Sequence, residues 1–215
     1  MIVSHKYKFI FLKTNKTAGT SIEIALSQFC GETDVITPIP PIDERVRREL
    51  GHRGPQNLRV PPSQSTAFYN HISANEVRQK VGATVWNEYY KFCFERNPWD
   101  RVISFYFWRC QNEPRPSISA FIESDEMSIL KEKGINLYTI SGTIAVNRVC
   151  LYENLQGELD EICSQIGLPG KLALPNAKSG YRMDKRHYSE ILSDKDAARI
   201  AEIFAEEISL YGYTY

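Results

Sequence analysis

The sequence KFIFLKTNKTAGTSIEIALSQF, residues 8–29, predicts a strand, a loop and a helix in direct succession. Its apolar run at residues 9–12 has the length and composition of a buried strand. Residues 14–19 are small or polar and predict a loop, and the apolar residues after them have a helical spacing. Such a unit binds phosphate, because free N–H groups and the positive end of the helix dipole point at one place. We therefore expect an anion site here.

The loop carries side chains suited to an anion. Gly19 lets the backbone approach closely, and Lys16 adds a mobile positive charge. Hydroxyl donors come from Thr17, Thr20 and Ser21. In the loop that binds nucleoside triphosphates, lysine follows the last glycine, whereas Lys16 precedes Gly19. The order therefore disfavours a nucleoside-triphosphate site, and a capped helix after a core strand is the structural alternative.

A second strand, loop and helix are predicted in KFCFERNPWDRVISFYFW, residues 91–108. The apolar strand ends at Arg96, and Asn97 and Pro98 suit the cap and first turn of a helix. Ser104 falls eight residues after Arg96, about two helical turns onward. Ligands of open α/β sheets lie beyond the carboxyl ends of the strands, so both units can face one crevice.

Between the two units, residues 30–65 are rich in proline and predict an irregular lid or substrate-facing segment. A short helix is expected within it, because Ile42, Val46 and Leu50 recur at a four-residue spacing. We interpret its arginines as a solvated basic face in preference to a patch for an anionic substrate. These arginines are Arg45, Arg47, Arg48 and Arg53.

The remaining chain predicts further helices around a basic loop. Ser73 and Glu76 form a capping box, and residues 154–168 have one apolar helical face. Residues 169–187 form the basic loop, and a last helix is expected from Ser193. Residues 137–152 are ambiguous between short strands and pieces of strand and helix.

Composition excludes several classes of protein. The 215 residues contain 26 Lys and Arg against 26 Asp and Glu, so no global charge indicates a nucleic-acid or membrane partner. The apolar segments are too short for a transmembrane segment, and the N-terminal residues predict a strand and not a signal peptide. The five cysteines lack a Cys-x-x-Cys pair, which favours reduced thiols in a cytoplasmic protein. With no repeat or linker, we expect one domain over residues 1–215.

The two units resemble those of sulfotransferases that use 3′-phosphoadenosine 5′-phosphosulfate (PAPS). Residues 16–21, Lys-Thr-Ala-Gly-Thr-Ser, resemble their 5′-phosphosulfate loop, and ERNPWDRVISFYFW resembles their 3′-phosphate element. LYENL at residues 151–155 and the tail from Tyr188 are similar to bacterial sulfotransferases related to carbohydrate 2-O-sulfotransferases. The resemblance implies an α/β fold, a P-loop-like three-layer domain with a central, mainly parallel sheet flanked by helices.

The resemblance also implies roles for individual residues. Arg96 and Ser104 would hold the 3′-phosphate, and Lys16 would contact the oxygen that bridges phosphate and sulfate. His71 matches the histidine that acts as general base in the 2-O-sulfotransferases, and Glu23 is the alternative base. The residues that would cradle the 5′-phosphosulfate are Lys13, Lys16, Thr17, Ala18, Gly19, Thr20 and Ser21. The basic residues that could close over the nucleotide, among which the sequence does not choose, are Lys178, Arg182 and Arg186.

The implied reaction is in-line transfer of a sulfuryl group from PAPS to an acceptor hydroxyl, with adenosine 3′,5′-bisphosphate (PAP) as product. No metal is expected, since lysine and arginine supply the positive charge. Carbohydrate, lipid-linked glycan, phenol and peptide hydroxyls stay open as acceptors, as does the oligomeric state. The alternatives are a small-molecule kinase with a degenerate phosphate loop and a non-catalytic protein that binds PAP.

Overall fold

The computed structural model of the protein describes residues 1–59, 68–175 and 180–215. Its strands are β1 (Ile2–Ser4), β2 (Phe9–Phe11), β3 (Val35–Ile36), β4 (Tyr90–Glu95), β5 (Thr139–Ile140), β6 (Thr143–Ile144) and β7 (Arg148–Leu151). Its α-helices are α1 (Gly19–Ser27), α2 (Pro41–Glu49), α3 (Ala74–Glu88), α4 (Pro98–Arg109), α5 (Ile118–Ile122), α6 (Glu126–Glu132), α7 (Ile135–Tyr138), α8 (Leu155–Gln165), α9 (Asp194–Ile203) and α10 (Ala205–Tyr211).

Within these described ranges, five strands form one sheet in the order β3-β1-β2-β4-β7, and β5 and β6 pair separately. Strands β2, β4 and β7 are parallel neighbours, whereas β1 runs antiparallel to both β2 and β3. The carboxyl ends of β2, β4 and β7 therefore meet at one edge of the sheet, which is where the predicted anion-binding residues follow.

Helices cover both faces of the sheet. Phe9 and Phe11 pack on the side of α1 and α8, whereas Ile10 packs on the side of α3 and α7, since alternate residues of a strand point to opposite faces. A strand buried on both faces needs a continuous apolar run, as residues 9–12 provide. The predicted α/β fold with helices around a central sheet is confirmed, and the sheet is mixed.

A third apolar cluster packs α4 against α5, α6 and α9. Trp99, Phe105 and Phe121 are buried in it, and Phe204 closes it at the end of α9. Both sides of α4 are thus covered, which agrees with its broadly apolar sequence. The predicted cap is present, because the Asn97 side chain accepts hydrogen bonds from the N–H groups of Trp99 and Asp100.

Helix α2 forms where the sequence predicts it, but with the opposite face buried. Arg47 is fully buried, whereas Ile42 and Leu50 are 66% and 49% exposed. The interpretation of Arg47 as a solvated residue is wrong: its guanidinium lies 3.5 Å from the buried Glu23 carboxylate and 3.1 Å from Glu44. A buried carboxylate needs a cationic partner, and this need outweighs the apolar spacing of the helix.

Other predictions have clear outcomes. The capping box of Ser73 and Glu76 is present, and α3 is kinked at Gly82. The ambiguous residues 137–152 contain the end of α7, the β5–β6 pair and β7. Residues 30–59 are more regular than predicted, since they contain β3 and α2, and residues 60–65 lie outside the description. One domain over residues 1–215 stays a prediction.

All five cysteines are free thiols. None of the described helices has the length and apolar character that a bilayer crossing requires.

Candidate functional site

A cavity of about 700 Å³ opens at the carboxyl ends of the parallel strands, a volume usual for small-molecule sites. Each strand contributes to it: the loop after β2, Arg96 after β4 and Tyr152 after β7. The predicted site residues that line this cavity are Lys13, Lys16, Thr17, Ala18, Gly19, Thr20, Ser21, His71, Arg96, Ser104 and Arg182. The fold thus brings together two units that are about 80 residues apart along the chain, as their placement at strand ends predicts.

The loop after β2 directs backbone N–H groups at the cavity. Lys16 and Ala18 adopt the left-handed conformation, with φ of 66° and 59°. Ala18 precedes α1 without a side-chain cap, and the first intrahelical bond runs from the Ile22 N–H to the Ala18 carbonyl. The N–H groups of the first turn have no intrahelical acceptor in such a helix, so they are available to an anion.

Lys13 forms the floor below this turn. A Cβ atom at Gly19 would lie 2.7 Å from Cγ of Lys13, so the lysine stem fits only against glycine. The Lys13 ammonium donates to Oε2 of Glu23 at 2.9 Å. Gly19 is therefore required by the packing of Lys13, a reason that the sequence does not reveal.

Glu23 is fully buried and does not line the cavity. Burial alone would raise the pKa of its carboxyl group, but Lys13, the N-terminal ammonium of Met1 and Arg47 outweigh burial and lower that pKa to about 2. The carboxylate is thus ionised, ion-paired and out of reach of an acceptor. The structure gives no support to Glu23 as the alternative base.

Arg96 is held on three sides. Its Nε and Nη2 donate to Oδ2 of Asp100 at 2.8 and 2.6 Å, and its Nη1 donates to the Lys16 carbonyl oxygen at 2.9 Å. The ring of Tyr152 lies 4.1 Å below the guanidinium carbon. A guanidinium has five N–H donors, so two stay available for an anion. Ser104 lines the same cavity from α4.

The predicted basic residues of the C-terminal loop separate into two groups. Arg182 lines the cavity and donates to Oδ1 of Asp100, whereas Arg186 is 59% exposed and pairs with Asp184 away from the cavity. Lys178 lies outside the described residues. Burial would raise the pKa of Asp100, but Arg96 and Arg182 outweigh it and lower that pKa. The two arginines therefore share one ionised carboxylate.

His71 lies at the cavity wall in a left-handed conformation, with φ of 58°. Its Nδ1 lies 2.8 Å from the Lys13 carbonyl oxygen. A carbonyl only accepts, so Nδ1 carries the proton and Nε2 has the free lone pair. Burial, followed by the charge of Lys13, lowers the pKa of His71 to about 3. The ring is therefore neutral at physiological pH.

Sequence reasoning missed several lining residues, among them Trp108, Lys133, Tyr152 and Lys185. Trp108 follows Ser104 by one helical turn and places its ring 5.4 Å from the Lys16 ammonium, so helical spacing could have identified it. Tyr152 directly follows the end of β7, the same signal that identified Arg96. Lys133 offers no such signal. It is held at the site by a backbone hydrogen bond, in which the Asn15 N–H donates to the Lys133 carbonyl oxygen.

Among the described residues, no group of three or more His, Cys, Asp and Glu side chains could hold a metal ion. The cationic groups of the cavity are lysines and arginines. Together with the open first turn of α1, they suit a ligand that has more than one anionic group.

Comparison with known proteins finds similar sequences. A model of the sulfotransferase family matches residues 1–214. A relative from Archaeoglobus fulgidus, described as an uncharacterized protein, is 32% identical over 101 residues, which cover 45% of this chain and 82% of the relative. The family match covers both strand–loop–helix units and the C-terminal loop that carries Arg182.

Proposed function

The chain belongs to the sulfotransferase family, and we therefore propose that it transfers a sulfuryl group from PAPS to an acceptor hydroxyl. The observation that carries this proposal is the single cavity shared by the open first turn of α1 and by Arg96. PAPS is anionic at both its 5′-phosphosulfate and its 3′-phosphate, so two separate anion-binding elements in one cavity fit it. Carbohydrate is one of the acceptor classes that stay open.

The 5′ side of the donor would be held by the loop and α1. The N–H groups of the first turn would bind its oxygens, with hydroxyls from Thr20 and Ser21. The hydroxyl of Thr17 instead contacts that of Thr14, which donates to the Phe94 carbonyl, so we assign Thr17 to fixing the loop against β4. Lys13 would support this side from below, since its ammonium is paired with Glu23.

The 3′ side would be held by Arg96, Ser104 and Arg182. The two remaining N–H groups of Arg96 can bind a phosphate through charge-assisted hydrogen bonds. Its planar group is fixed by Asp100 and Tyr152, so little conformational freedom is lost on binding. Arg186, which pairs with Asp184, would keep no direct role in this site.

The chemistry needs a cation at the leaving oxygen and a base at the acceptor. When bound, the donor supplies a sulfur–oxygen bond that breaks as the acceptor oxygen bonds to sulfur. Lys16 would stabilise the negative charge on the departing phosphate oxygen, and the acceptor proton would pass to Nε2 of His71. Nearby anionic charge raises the pKa of an imidazole, so donor binding would strengthen His71 as a base.

Calorimetric titration with PAP tests the donor site, with ATP and magnesium titrated in parallel. We expect PAP to bind tightly to the wild type and at least about tenfold more weakly to Arg96→Ala, which loses charged hydrogen bonds. Arg199→Ala is the matched control, because Arg199 pairs with Glu123 and Glu202 at the surface. Binding of magnesium–ATP in place of PAP would favour a kinase, and binding of neither nucleotide would contradict a donor site.

A second test separates catalysis from binding. Lys16→Ala should lose sulfuryl transfer from radiolabelled PAPS in an acceptor screen, while it keeps the far-ultraviolet circular dichroism of the wild type. If wild type binds PAP but no acceptor is labelled under any condition, the non-catalytic alternative would replace transfer.

A further inference from the structure

Arg96 contacts the loop after β2 as well as the cavity. Its Nη1 donates to the carbonyl oxygen of Lys16 at 2.9 Å, across two neighbouring parallel strands. In the proposed function these two residues bind opposite ends of the donor. A direct hydrogen bond therefore joins the residue for the 3′-phosphate to the backbone of the residue for the leaving oxygen.

The conformation of Lys16 makes this bond important. Its φ of 66° lies in the left-handed region, which costs energy in a residue with a Cβ atom. This turn points the Lys16 carbonyl at Arg96, and Ala18, also left-handed, continues the chain into α1. A charged donor on the carbonyl stabilises the turn, so the loop geometry depends on a residue outside the loop.

Arg96 is itself anchored by a residue that does not line the cavity. Asp100, in the first turn of α4, accepts from two nitrogens of Arg96 through Oδ2 and from Arg182 through Oδ1. The Tyr152 ring stacks on the same guanidinium. The loop after β2, the start of α4 and the C-terminal loop thus meet in one charged hydrogen-bond network.

We propose that Arg96 is a positioning residue for the 5′-phosphosulfate loop in addition to its contact with the 3′-phosphate, and that Asp100 is its anchor. The expected effect of Arg96 on nucleotide affinity rests on the proposed function. The effect of Arg96 on the conformation of the loop does not, since it concerns the protein without ligand. The consequence is that the two ends of the donor are recognised cooperatively and not independently.

Two nucleotides separate a positioning role from direct contact: PAP and adenosine 5′-monophosphate (AMP), which lacks the 3′-phosphate. Arg96→Lys keeps the charge but cannot reproduce the fork that reaches both Asp100 and Lys16. We expect calorimetry to show weaker binding of both nucleotides by this variant, by about tenfold for AMP. Ser104→Ala is the matched comparison, because Ser104 has no bond to the loop and should weaken PAP alone. Unchanged affinity of Arg96→Lys for AMP would overturn the inference and leave the proposed donor site intact.

Backbone hydrogen exchange tests the loop without any ligand. We expect Arg96→Lys and Asp100→Asn to exchange faster than wild type at the loop amides, with the bonded N–H groups of Asn15 and Ile22 as reporters. Ser104→Ala should exchange like wild type there. If these amides exchange at the same rate in wild type and in all three variants, Arg96 does not position the loop. Should wild type bind neither nucleotide, the proposed function fails and this measurement alone decides the inference.

Discussion

Gly19 is the residue where the floor of the site leaves no room for a side chain. In Gly19→Ala the new Cβ would meet Cγ of Lys13 at 2.7 Å, and the ion pair with Glu23 prevents Lys13 from moving away freely. Overpacking of this kind costs about 1–3 kcal/mol. We expect that loss in the free energy of unfolding by urea, together with weaker binding of PAP.

Gly54→Ala is the control for this substitution. Beyond the two chain neighbours of Gly54, no heavy atom of the described residues lies within 4 Å of a Cβ built there, so the unfolding free energy of this variant should stay within about 0.5 kcal/mol of wild type. Equal stability of the two variants would show that Lys13 yields to the new methyl group.

The protonation of His71 is a second property of a single residue. Its pKa falls from 6.5 to about 3 in the folded protein, because the ring is buried beside Lys13. Between these two values the unfolded chain binds a proton that the folded chain does not. The corresponding stability is therefore present above pH 6.5 and is lost as the pH falls through this window.

We accordingly expect acidification from about pH 7 to pH 5 to destabilise wild type more than His71→Gln, by up to about 1.4 kcal/mol per pH unit. Urea unfolding at each pH measures the difference. In an NMR titration, the imidazole resonance that is missing from the spectrum of His71→Gln is that of His71. This resonance should show a neutral ring down to below pH 5, and the ring should titrate at higher pH once PAP is bound. An imidazole that titrates near 6.5 in the free protein would refute the buried, neutral state.

At the scale of elements, buried ion pairs of Arg47 hold helix α2 against the rest of the protein. Arg47 is buried beside Glu23 and Glu44, whereas Arg48 on the same helix is exposed. Removal of one partner of a buried ion pair costs about 3–5 kcal/mol when the other charge is left uncompensated, but Glu23 keeps Lys13 and the N-terminal ammonium of Met1. We therefore expect a smaller loss, about 1–3 kcal/mol, in Arg47→Ala and a change within about 0.5 kcal/mol in Arg48→Ala, both measured by urea unfolding. Similar values for the two variants would contradict the attachment through Glu23.

The elements also show which parts of the fold the sequence can predict. Helices α1 and α4 follow from local signals within about 20 residues, since each comes after a strand and turn residues, and α4 also has the cap of Asn97. The buried face of α2 does not, because it depends on Glu23, which belongs to another element. The apolar spacing of Ile42 and Leu50 placed the helix correctly and oriented it wrongly.

At the scale of the whole molecule, the same distinction applies to the site. Residues at strand ends, such as Arg96, were predictable, because parallel strands share an edge. Lys133 was not, since it arrives from the loop after α6 through one backbone bond. The bond from Arg96 to Lys16 was equally hidden, because it depends on a left-handed turn that the residue types do not demand.

Because the cavity is built from distant parts of the chain, a ligand that bridges them should stabilise the whole fold. Residues from the loop after β2, from α4 and from the C-terminal loop all line it. A ligand at 100 times its Kd adds about 2.7 kcal/mol, which in a chain of this length raises Tm by about 5–11 °C. We expect this rise with PAP in wild type and in Arg199→Ala, and a rise no more than about half as large in Arg96→Ala at the same ligand concentration, because tenfold weaker binding leaves about 1.4 kcal/mol. A rise of full size in Arg96→Ala would mean that the nucleotide binds elsewhere on the molecule.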